Sequence, residues 1–575
     1  MPEILPSAAA LAARPYRPQQ APANALRLDC TEGLLHTATL RQTLGLLDDQ
    51  AWLRYPDARQ LEVLLAQRWK IKPQNVLVTA GADEALDRVC RAYLCPGRKA
   101  LVTRPTFEMI PHWIKLAGAE LVEIPWFRGR FPLARMLWVT DRKTTVVFAV
   151  TPNNPTGAVA SAEEIGRLAR SVPFCLVVVD AAYAEFSEDD PTQQLLGFSN
   201  LVVIRSLSKA WSLAGLRVGY VLGAAEIIER LRAVGGPYSV SRLSLALAAK
   251  RLESDAEATK RYVVEVRRQR KKLEQLLQRL GAKPLSSQAN FVLCRFRRAR
   301  FLSRALSALG IQVRDFPGRP QLEGYLRITC PGREREFALL CKALESVLSP
   351  QALLFDMDGV LADVSASYHQ AAVETARAFG VEISARQMRR AKLEAGSNND
   401  WVVTERLLMR AGKRVSLEKV IRCFENIYNG SDEQPGLWMK ERAIFPRQIL
   451  ERLGRAFRLG LVTGRPRQQA LRFLEKEGLR DLFATLVCRE DAPPKPSPKP
   501  VQLALKKLGV KSAWLIGDTP DDMVAAKKAG VVSIGFCGSG KESRAALLRA
   551  GAAAVIADPS ALEDLLGAIF KGGES

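Results

Sequence analysis

RSLSKAWSLAGLRVGY, residues 205–220, decides the reading of the first half of the chain. A short apolar run at 201–204 leads into it, and another at 218–222 overlaps its end. Between them stand Ser206, Ser208, Lys209 and Arg217. Working outward, further β-rich runs fall at 75–79, 100–103, 120–124, 145–149 and 175–179. Each is short and nearly continuous in apolar residues, as strands buried on both faces are. The segments between them, such as 82–93 and 161–171, carry helical spacing and capping residues. This alternation predicts an α/β fold with a mostly parallel sheet. A long, heavily charged helical stretch is expected at 241–280. A smaller α+β region follows, with strands at 291–295, 312–314 and 325–329 and a last helix at 334–348.

The chemistry points the same way. Pyridoxal phosphate needs a lysine for covalent attachment and a carboxylate against its pyridine nitrogen. Its phosphate needs hydroxyls, backbone N–H groups and an arginine, and a helix N-terminus supplies such N–H groups. All of these occur in order: Gly81-Ala82-Asp83-Glu84 between a strand and a helix, Phe107 to stack on a ring, Asn154 within PNNPTG (152–157), Asp180 at a strand end, Tyr183, then Ser206, Ser208, Lys209 and Arg217. Singly, Lys209 reads as a surface lysine, Asp180 as a helix cap, Arg217 or Arg327 as an ion-pair partner and PNNPTG as a turn. Their joint order carries the reading.

On these motifs, about residue 5 to 348 resembles the fold-type I aminotransferases, the histidinol-phosphate aminotransferase family in particular. The matching stretches are PYRP (15–18), RYPD (54–57), GADEALD (81–87), PNNPTG, VVDAAYAEF (178–186), RSLSKAWSLAGLRVGY, PY (237–238), QANFVL (288–293), VR (313–314) and LRIT (326–329). The resemblance implies a large α/β domain (about 45–240) and a small domain (about 241–349 plus the N-terminal arm). It implies that Lys209 binds the cofactor covalently and shuttles a proton, that Asp180 faces the pyridine nitrogen, and that Asn154 and Tyr183 hold the ring oxygen. Ala82, Asp83, Ser206, Ser208 and Arg217 would surround the cofactor phosphate. Tyr55 would reach that phosphate in a partner subunit, so a homodimer is implied. Arg327, assisted by Arg314, would grip the carboxylate of glutamate or the phosphate of a second substrate, and Tyr16 would reach the substrate phosphate across the dimer. The chain departs from the family pattern near substrate recognition: Asp29 is followed by Cys30-Thr31-Glu32-Gly33, Ala181 replaces a glutamate, and Phe107 lacks the usual tyrosine hydroxyl.

A second signature, Asp356-Met357-Asp358-Gly359, follows the apolar run 352–355. Further strands are expected at 459–462, 485–488, 513–516, 532–535 and 554–556, with a helical insertion at 364–445 that has no strand signals. Such an insert after the first strand of a doubly wound sheet reads as a cap over the active-site edge. The chemistry is that of phosphate monoesters: a carboxylate nucleophile, a divalent cation and an acid for the leaving alkoxide. Thr463 and Gly464 end a later strand, Lys495 can neutralise phosphoryl oxygens, and Gly517-Asp518-Thr519-Pro520-Asp521-Asp522 gathers carboxylates suited to Mg²⁺. An EF-hand loop is excluded, because Ser367 stands at its twelfth position and a strand precedes Asp356.

These four motifs resemble the haloacid dehalogenase superfamily over about 351–575. The resemblance implies Asp356 as nucleophile, through an aspartyl-phosphate, and Asp358 as leaving-group acid and then base for water. Asp356, the Asp358 backbone carbonyl, Asp518 and Asp522 would hold or neighbour Mg²⁺, and Thr463, Gly464 and Lys495 would bind the phosphoryl group. The two domains are expected at 1–349 and 350–575, with Ser349-Pro350 too short to give them much freedom.

The 575 residues exceed one core. No apolar run approaches bilayer length, and the N-terminal arm has no basic n-region. Ten cysteines without CxxC pairs and three histidines argue for reduced thiols in a cytoplasmic protein rather than a zinc site. The net charge of +24 is spread along helices with no nucleic-acid motif, so no specific nucleic acid and no membrane is expected as a partner. Together the two resemblances imply a bifunctional enzyme that aminates imidazole-acetol phosphate from glutamate and then dephosphorylates histidinol phosphate. The alternatives are an aromatic aminotransferase or threonine-phosphate decarboxylase fused to a phosphoglycolate or sugar-phosphate phosphatase. One half could instead be a degenerate binding module.

Overall fold

The computed structural model describes Ala9 and residues 24–33, 41, 44–45, 49–392, 394, 399–431, 434–537 and 541–570. The chain forms two compact units. One gathers Arg27–Phe296 and Val313–Ala338, the other Arg297–Gln312 and the chain from Leu339 onward.

The first unit is built on a seven-stranded sheet. Its strands are β1 (Val76–Thr79), β2 (Lys99–Arg104), β3 (Glu120–Pro125), β4 (Thr144–Val150), β5 (Leu176–Asp180), β6 (Leu201–Ser206) and β7 (Gly219–Gly223). They lie in the order β1-β7-β6-β5-β4-β2-β3. Only β7 runs antiparallel to its neighbours; the rest pair in parallel. β5 and β6 are buried along their whole length, which is why their sequences are apolar without alternation. Leu86 and Val89 of the helix Gly81–Tyr93 pack with Val102, Phe148, Val178 and Ile204 of the sheet. A second, antiparallel sheet joins β8 (Lys283–Pro284), β9 (Phe291–Arg295) and β10 (Tyr325–Thr329) in the order β10-β9-β8.

The stretch expected as one helical run at 241–280 is two helices, Arg242–Ser254 and Ala256–Arg279. Asp255 separates them with non-helical dihedrals (φ −116°, ψ 20°) and ion-pairs with Arg251. A short acidic side chain that bonds locally favours such a break over helix continuation.

The second unit carries a six-stranded, wholly parallel sheet. In chain order its strands are β11 (Ala352–Phe355), β14 (Arg458–Val462), β15 (Thr485–Val487), β16 (Ala513–Gly517), β17 (Val532–Phe536) and β18 (Ala554–Ile556). Between β11 and β14 lie two short strands, β12 (Ala362–Asp363) and β13 (Arg442–Ala443). The sheet order is β15-β14-β11-β16-β17-β18. β11 is flanked by β14 and β16, so the carboxyl ends of these three strands open side by side, where ligands of doubly wound sheets bind.

The insertion between β12 and β13 holds the helices Tyr368–Ala378, Ala385–Ala391, Asp400–Arg410 and Leu417–Asn429. An aromatic cluster binds them: Tyr368 lies 5.4 Å from Phe424 and 4.5 Å from Tyr428, and Trp401 lies 6.4 Å from Phe424. The insertion was expected to hold no strand. Instead β13 pairs antiparallel with β12 and closes its base. Two residues are too few to show a period in sequence.

The helix Ala299–Ala308 belongs to the second unit. Its Phe301 ring lies 5.3 Å from that of Trp514, and Trp514 Nε1 donates to Ser346 O at 3.1 Å. Contacts thus group Arg297–Gln312 and residues 339–349 with the chain beyond 350. No helix of the described residues is long and apolar enough to cross a membrane.

Candidate active sites

The first site sits at the carboxyl ends of β5 and β6. Asp180 closes β5, and Ser206 closes β6. One cavity of about 320 Å³ is lined by Ala82, Asp83, Phe107, Asn154, Asp180, Tyr183, Ser206, Ser208, Lys209 and Arg217. Ten of the residues picked from sequence are thus brought together. A smaller cavity of about 170 Å³ shares Phe107, Asn154, Tyr183 and Lys209 and adds Glu108, Arg314, Arg319 and Arg327. Tyr55 lies on neither; it is 77% exposed and stacks on Tyr238 with centroids 4.5 Å apart. Tyr16 lies outside the described residues.

Backbone geometry sets how closely the start of the helix Gly81–Tyr93 approaches Arg217. Gly81 opens its helix with φ +80°, and a Cβ there would meet Arg217 Nη2 at 2.6 Å. A Cβ on Gly219 would lie 2.6 Å from the Gly81 carbonyl carbon. Arg217 reaches Asp83 Oδ2 at 3.0 Å and donates to Ser208 Oγ at 3.4 Å. An acidic Asp83 side chain would repel an anion; what this helix start offers a phosphate is its N–H groups and Arg217. Asp180 accepts from Ala182 N–H at 3.1 Å. Burial, with Asp83 adding repulsion, pushes its carboxyl up to about 6 from the ordinary 3.8. A protonated ring nitrogen is the partner that such a carboxylate lacks. On these grounds the donor set fits pyridoxal phosphate.

Lys209 Nζ donates to Thr31 Oγ1 at 2.8 Å and to Cys30 O at 3.3 Å. Thr31 Oγ1 is also 3.0 Å from Tyr183 OH. Thr31 holds φ +57°, an outlying conformation for a β-branched residue. The departure from the family pattern at 30–33 thus places a hydroxyl against the lysine. Arg327 Nη1 donates to Asn154 Oδ1 at 2.6 Å, and its Nη2 to Asp29 O at 2.5 Å. Reciprocal backbone hydrogen bonds of 2.9 and 3.1 Å set Arg314 beside Arg327. Glu108 bridges Arg314, at 3.1 Å, and Arg319. Neither Glu108 nor Arg319 stood out in sequence, since their partners are over 200 residues apart from Glu108.

The second site lies at the ends of β11, β14 and β16. Carboxylate oxygens of Asp356, Asp518 and Asp522 fall within 4.8 Å of one another. Lys495 Nζ reaches Asp356 Oδ1 at 2.8 Å and Asp522 Oδ1 at 2.5 Å, and donates to Val462 O at 3.2 Å. Burial, tempered by Lys495 and reinforced by Asp522, pushes Asp356 up to about 7. Burial and the negative charge of Asp356 and Asp522 hold Asp518 well above the carboxylate range. Burial opposes the Lys495 charge, but Asp356 and Asp522 outweigh it and hold the ammonium above its ordinary value. The buried Asp518 Oδ1 has no hydrogen-bond donor among the described residues. Three clustered carboxylates with an orphaned oxygen fit a hard divalent cation such as Mg²⁺. Gly359, at φ +71°, passes so close that a Cβ would sit 2.2 Å from Asp518 Oδ2.

Thr463 Oγ1 accepts from Arg465 N–H at 3.1 Å, and Gly464 lines a neighbouring cavity of about 420 Å³ with Asn399, Arg489 and Glu490. Asn399 caps the helix Asp400–Arg410 by accepting from Trp401 and Val402 N–H. The Asp358 side chain is not one of the three clustered carboxylates. Its Oδ1 accepts from Arg465 Nε at 2.6 Å. Arg465 was missed in sequence; its position directly after Thr463-Gly464 was the available signal.

Comparison with known proteins assigns a family match to each half of the chain. Residues 23–344 match the class I and II aminotransferases, and residues 353–536 match the haloacid dehalogenase-like hydrolases. A histidinol-phosphate aminotransferase of Caldanaerobacter subterraneus subsp. tengcongensis is 36% identical over 300 residues, 51% of this chain and 84% of that protein. An imidazoleglycerol-phosphate dehydratase of Phytophthora nicotianae is 44% identical over 185 residues, 31% of this chain and 41% of that protein. The crystal structure of a Sinorhizobium meliloti histidinol-phosphate aminotransferase in complex with pyridoxal-5'-phosphate superposes with TM-score 0.51 and 26% identity, covering 56% of this chain and 90% of that one. The chain therefore belongs to the class I and II aminotransferase family and carries a haloacid dehalogenase-like hydrolase domain in the same polypeptide.

Proposed function

We propose that this chain catalyses two consecutive steps of histidine biosynthesis: glutamate-dependent transamination of imidazole-acetol phosphate to histidinol phosphate, then Mg²⁺-dependent hydrolysis of histidinol phosphate to histidinol. The observation that carries this is the presence, on one chain, of both a lysine-centred cavity flanked by arginines and a lysine-bridged carboxylate cluster. The similarity to histidinol-phosphate aminotransferases supports the first substrate. The partial similarity to a protein named for another imidazole-bearing phosphate ester supports the pathway.

Pyridoxal phosphate, when bound, supplies an electron sink for the substrate α-carbon. In this chain Asp180 would keep the ring nitrogen protonated, Arg217, Ser206, Ser208 and the start of the helix Gly81–Tyr93 would hold the phosphate, and Asn154, Tyr183 and Phe107 would hold the ring. Lys209 Nζ moves the proton at the α-carbon. Arg327 and Arg314 bind the anionic group of either substrate. Tyr55 serves the cavity of a second copy, which its exposure outside its own cavity supports; the working form is a homodimer.

In the second site, Mg²⁺ would lie among Asp356, Asp518 and Asp522, beside the Asp358 carbonyl, and neutralise phosphoryl charge. Asp356 Oδ attacks phosphorus as the bond to the alkyl oxygen breaks, and Asp358 donates its proton to that oxygen. Asp358, now a carboxylate, takes a proton from water as the water oxygen attacks phosphorus and the Asp356–phosphorus bond breaks. Lys495, Thr463 and Gly464 hold the phosphoryl oxygens.

Single substitutions separate the halves. Lys209→Ala should abolish the visible band of the bound cofactor and lower transamination at least ~10²-fold, while phosphate release continues. Asp356→Asn should do the reverse. Retention of transamination by Lys209→Ala, or of phosphate release by Asp356→Asn, would reject the respective assignment.

A further inference from the structure

Arg465 follows Thr463-Gly464 at the carboxyl end of β14, and only 1% of its side chain is exposed. Its Nε and Nη2 reach Asp358 Oδ1 at 2.6 and 2.5 Å. Its other edge forks onto Glu441, with Nη1 to Oε2 and Nη2 to Oε1 both at 3.0 Å. Glu441 Oε1 also accepts from Ser367 Oγ at 2.9 Å and from Tyr428 OH at 3.1 Å. The guanidinium lies 4.5 Å from the centre of the Tyr368 ring. Ser367 and Tyr368 open the first helix of the insertion, Tyr428 lies in its last helix, and Glu441 directly precedes β13. Apart from Asp358, these partners all sit where the insertion joins the sheet.

We propose that Arg465 is a positioning residue of the phosphatase site: it aims the Asp358 carboxyl and ties it to the seat of the helical cap, so that leaving-group protonation depends on how the cap is held. The inference rests on Asp358 being the proton donor. A guanidinium can fork onto Glu441 with one edge and grip Asp358 with the other, which a single ammonium cannot. Without it, Glu441 is left buried and uncompensated, and Asp358 loses its fixed direction. The cost falls on one step. An alkyl oxygen needs the Asp358 proton as its bond to phosphorus breaks, whereas p-nitrophenolate leaves without one. A merely structural arginine would slow both esters alike.

The test uses the full chain with Mg²⁺ and compares kcat on histidinol phosphate and on p-nitrophenyl phosphate, with glycerol 3-phosphate as the alkyl ester should histidinol phosphate not be turned over. Arg465→Lys, Glu441→Gln and Asp358→Asn are measured, with circular dichroism and melting to establish folding. The alkyl-to-aryl ratio is expected to fall about tenfold or more in Asp358→Asn and Arg465→Lys, and less steeply in Glu441→Gln. If Asp358→Asn lowers the ratio while folded Arg465→Lys and Glu441→Gln keep the wild-type value, the proposal is overturned and Asp358 stands as the donor. If Asp358→Asn keeps the ratio, both are overturned. Should Arg465→Lys not fold, the ratio in Glu441→Gln decides.

Discussion

Asp180 lies buried at the end of β5, the strand its apolar run predicts, beside Lys209 in one cavity. Its elevated pKa gives a pH signature. The folded apo-protein keeps the Asp180 proton up to about pH 6, whereas the unfolded chain releases it near 3.8. Apo stability contributed by this residue is therefore lost as pH rises through that window, by on the order of 3 kcal/mol. Cofactor binding should remove that slope, and Asp180→Asn should remove it without cofactor. A melting-temperature profile from pH 4 to pH 7 checks this; an unchanged slope in Asp180→Asn would assign it elsewhere. Other residues were hidden. Thr31 was visible as a departure from the family pattern, but its contacts with Lys209 and Tyr183 join positions more than 150 apart and depend on a left-handed backbone. Glu108 and Arg319 were hidden for the same reason, because charged pairs across long separations leave no local pattern; Arg465 offered only its place directly after Thr463-Gly464.

At the scale of elements, the buried parallel strands were the clearest part of the sequence, because a strand covered on both faces is nearly all apolar. The helix boundaries around Asp255 and the two-residue strands β12 and β13 were not, because neither spans a full period. The turn after β11 is where element and chemistry meet. Asp356 ends the strand run, and Gly359 at φ +71° passes beside Asp518 with no room for a methyl group. Gly359→Ala should destabilise the second unit by about 1–3 kcal/mol and displace Asp518. Phosphate release should then require more Mg²⁺ for half-saturation, while transamination is unchanged. An unaltered Mg²⁺ dependence would show that the turn tolerates a side chain.

For the whole molecule, the two halves were legible as two chemistries, and compactness groups the chain differently from the family matches. The second unit takes in Arg297–Gln312 as well as the chain from Leu339. Its wholly buried Trp514 is covered by Phe301 and bonded to Ser346. A fragment of residues 350–575 would lose that cover, roughly 1.5–3 kcal/mol for a large apolar side chain. Its phosphatase activity should be inactivated at least about 3 °C below that of the full chain. Equal inactivation temperatures would show that the fragment is self-sufficient.

We propose that both chemistries act in sequence on one phosphorylated amino alcohol. The decisive experiment supplies the purified full chain, with pyridoxal phosphate and Mg²⁺, with imidazole-acetol phosphate and glutamate and follows the products. The intact chain is expected to yield histidinol and phosphate, Asp356→Asn to accumulate histidinol phosphate, and Lys209→Ala to form neither. Failure of the intact chain to aminate imidazole-acetol phosphate, or to release phosphate from histidinol phosphate, would contradict it.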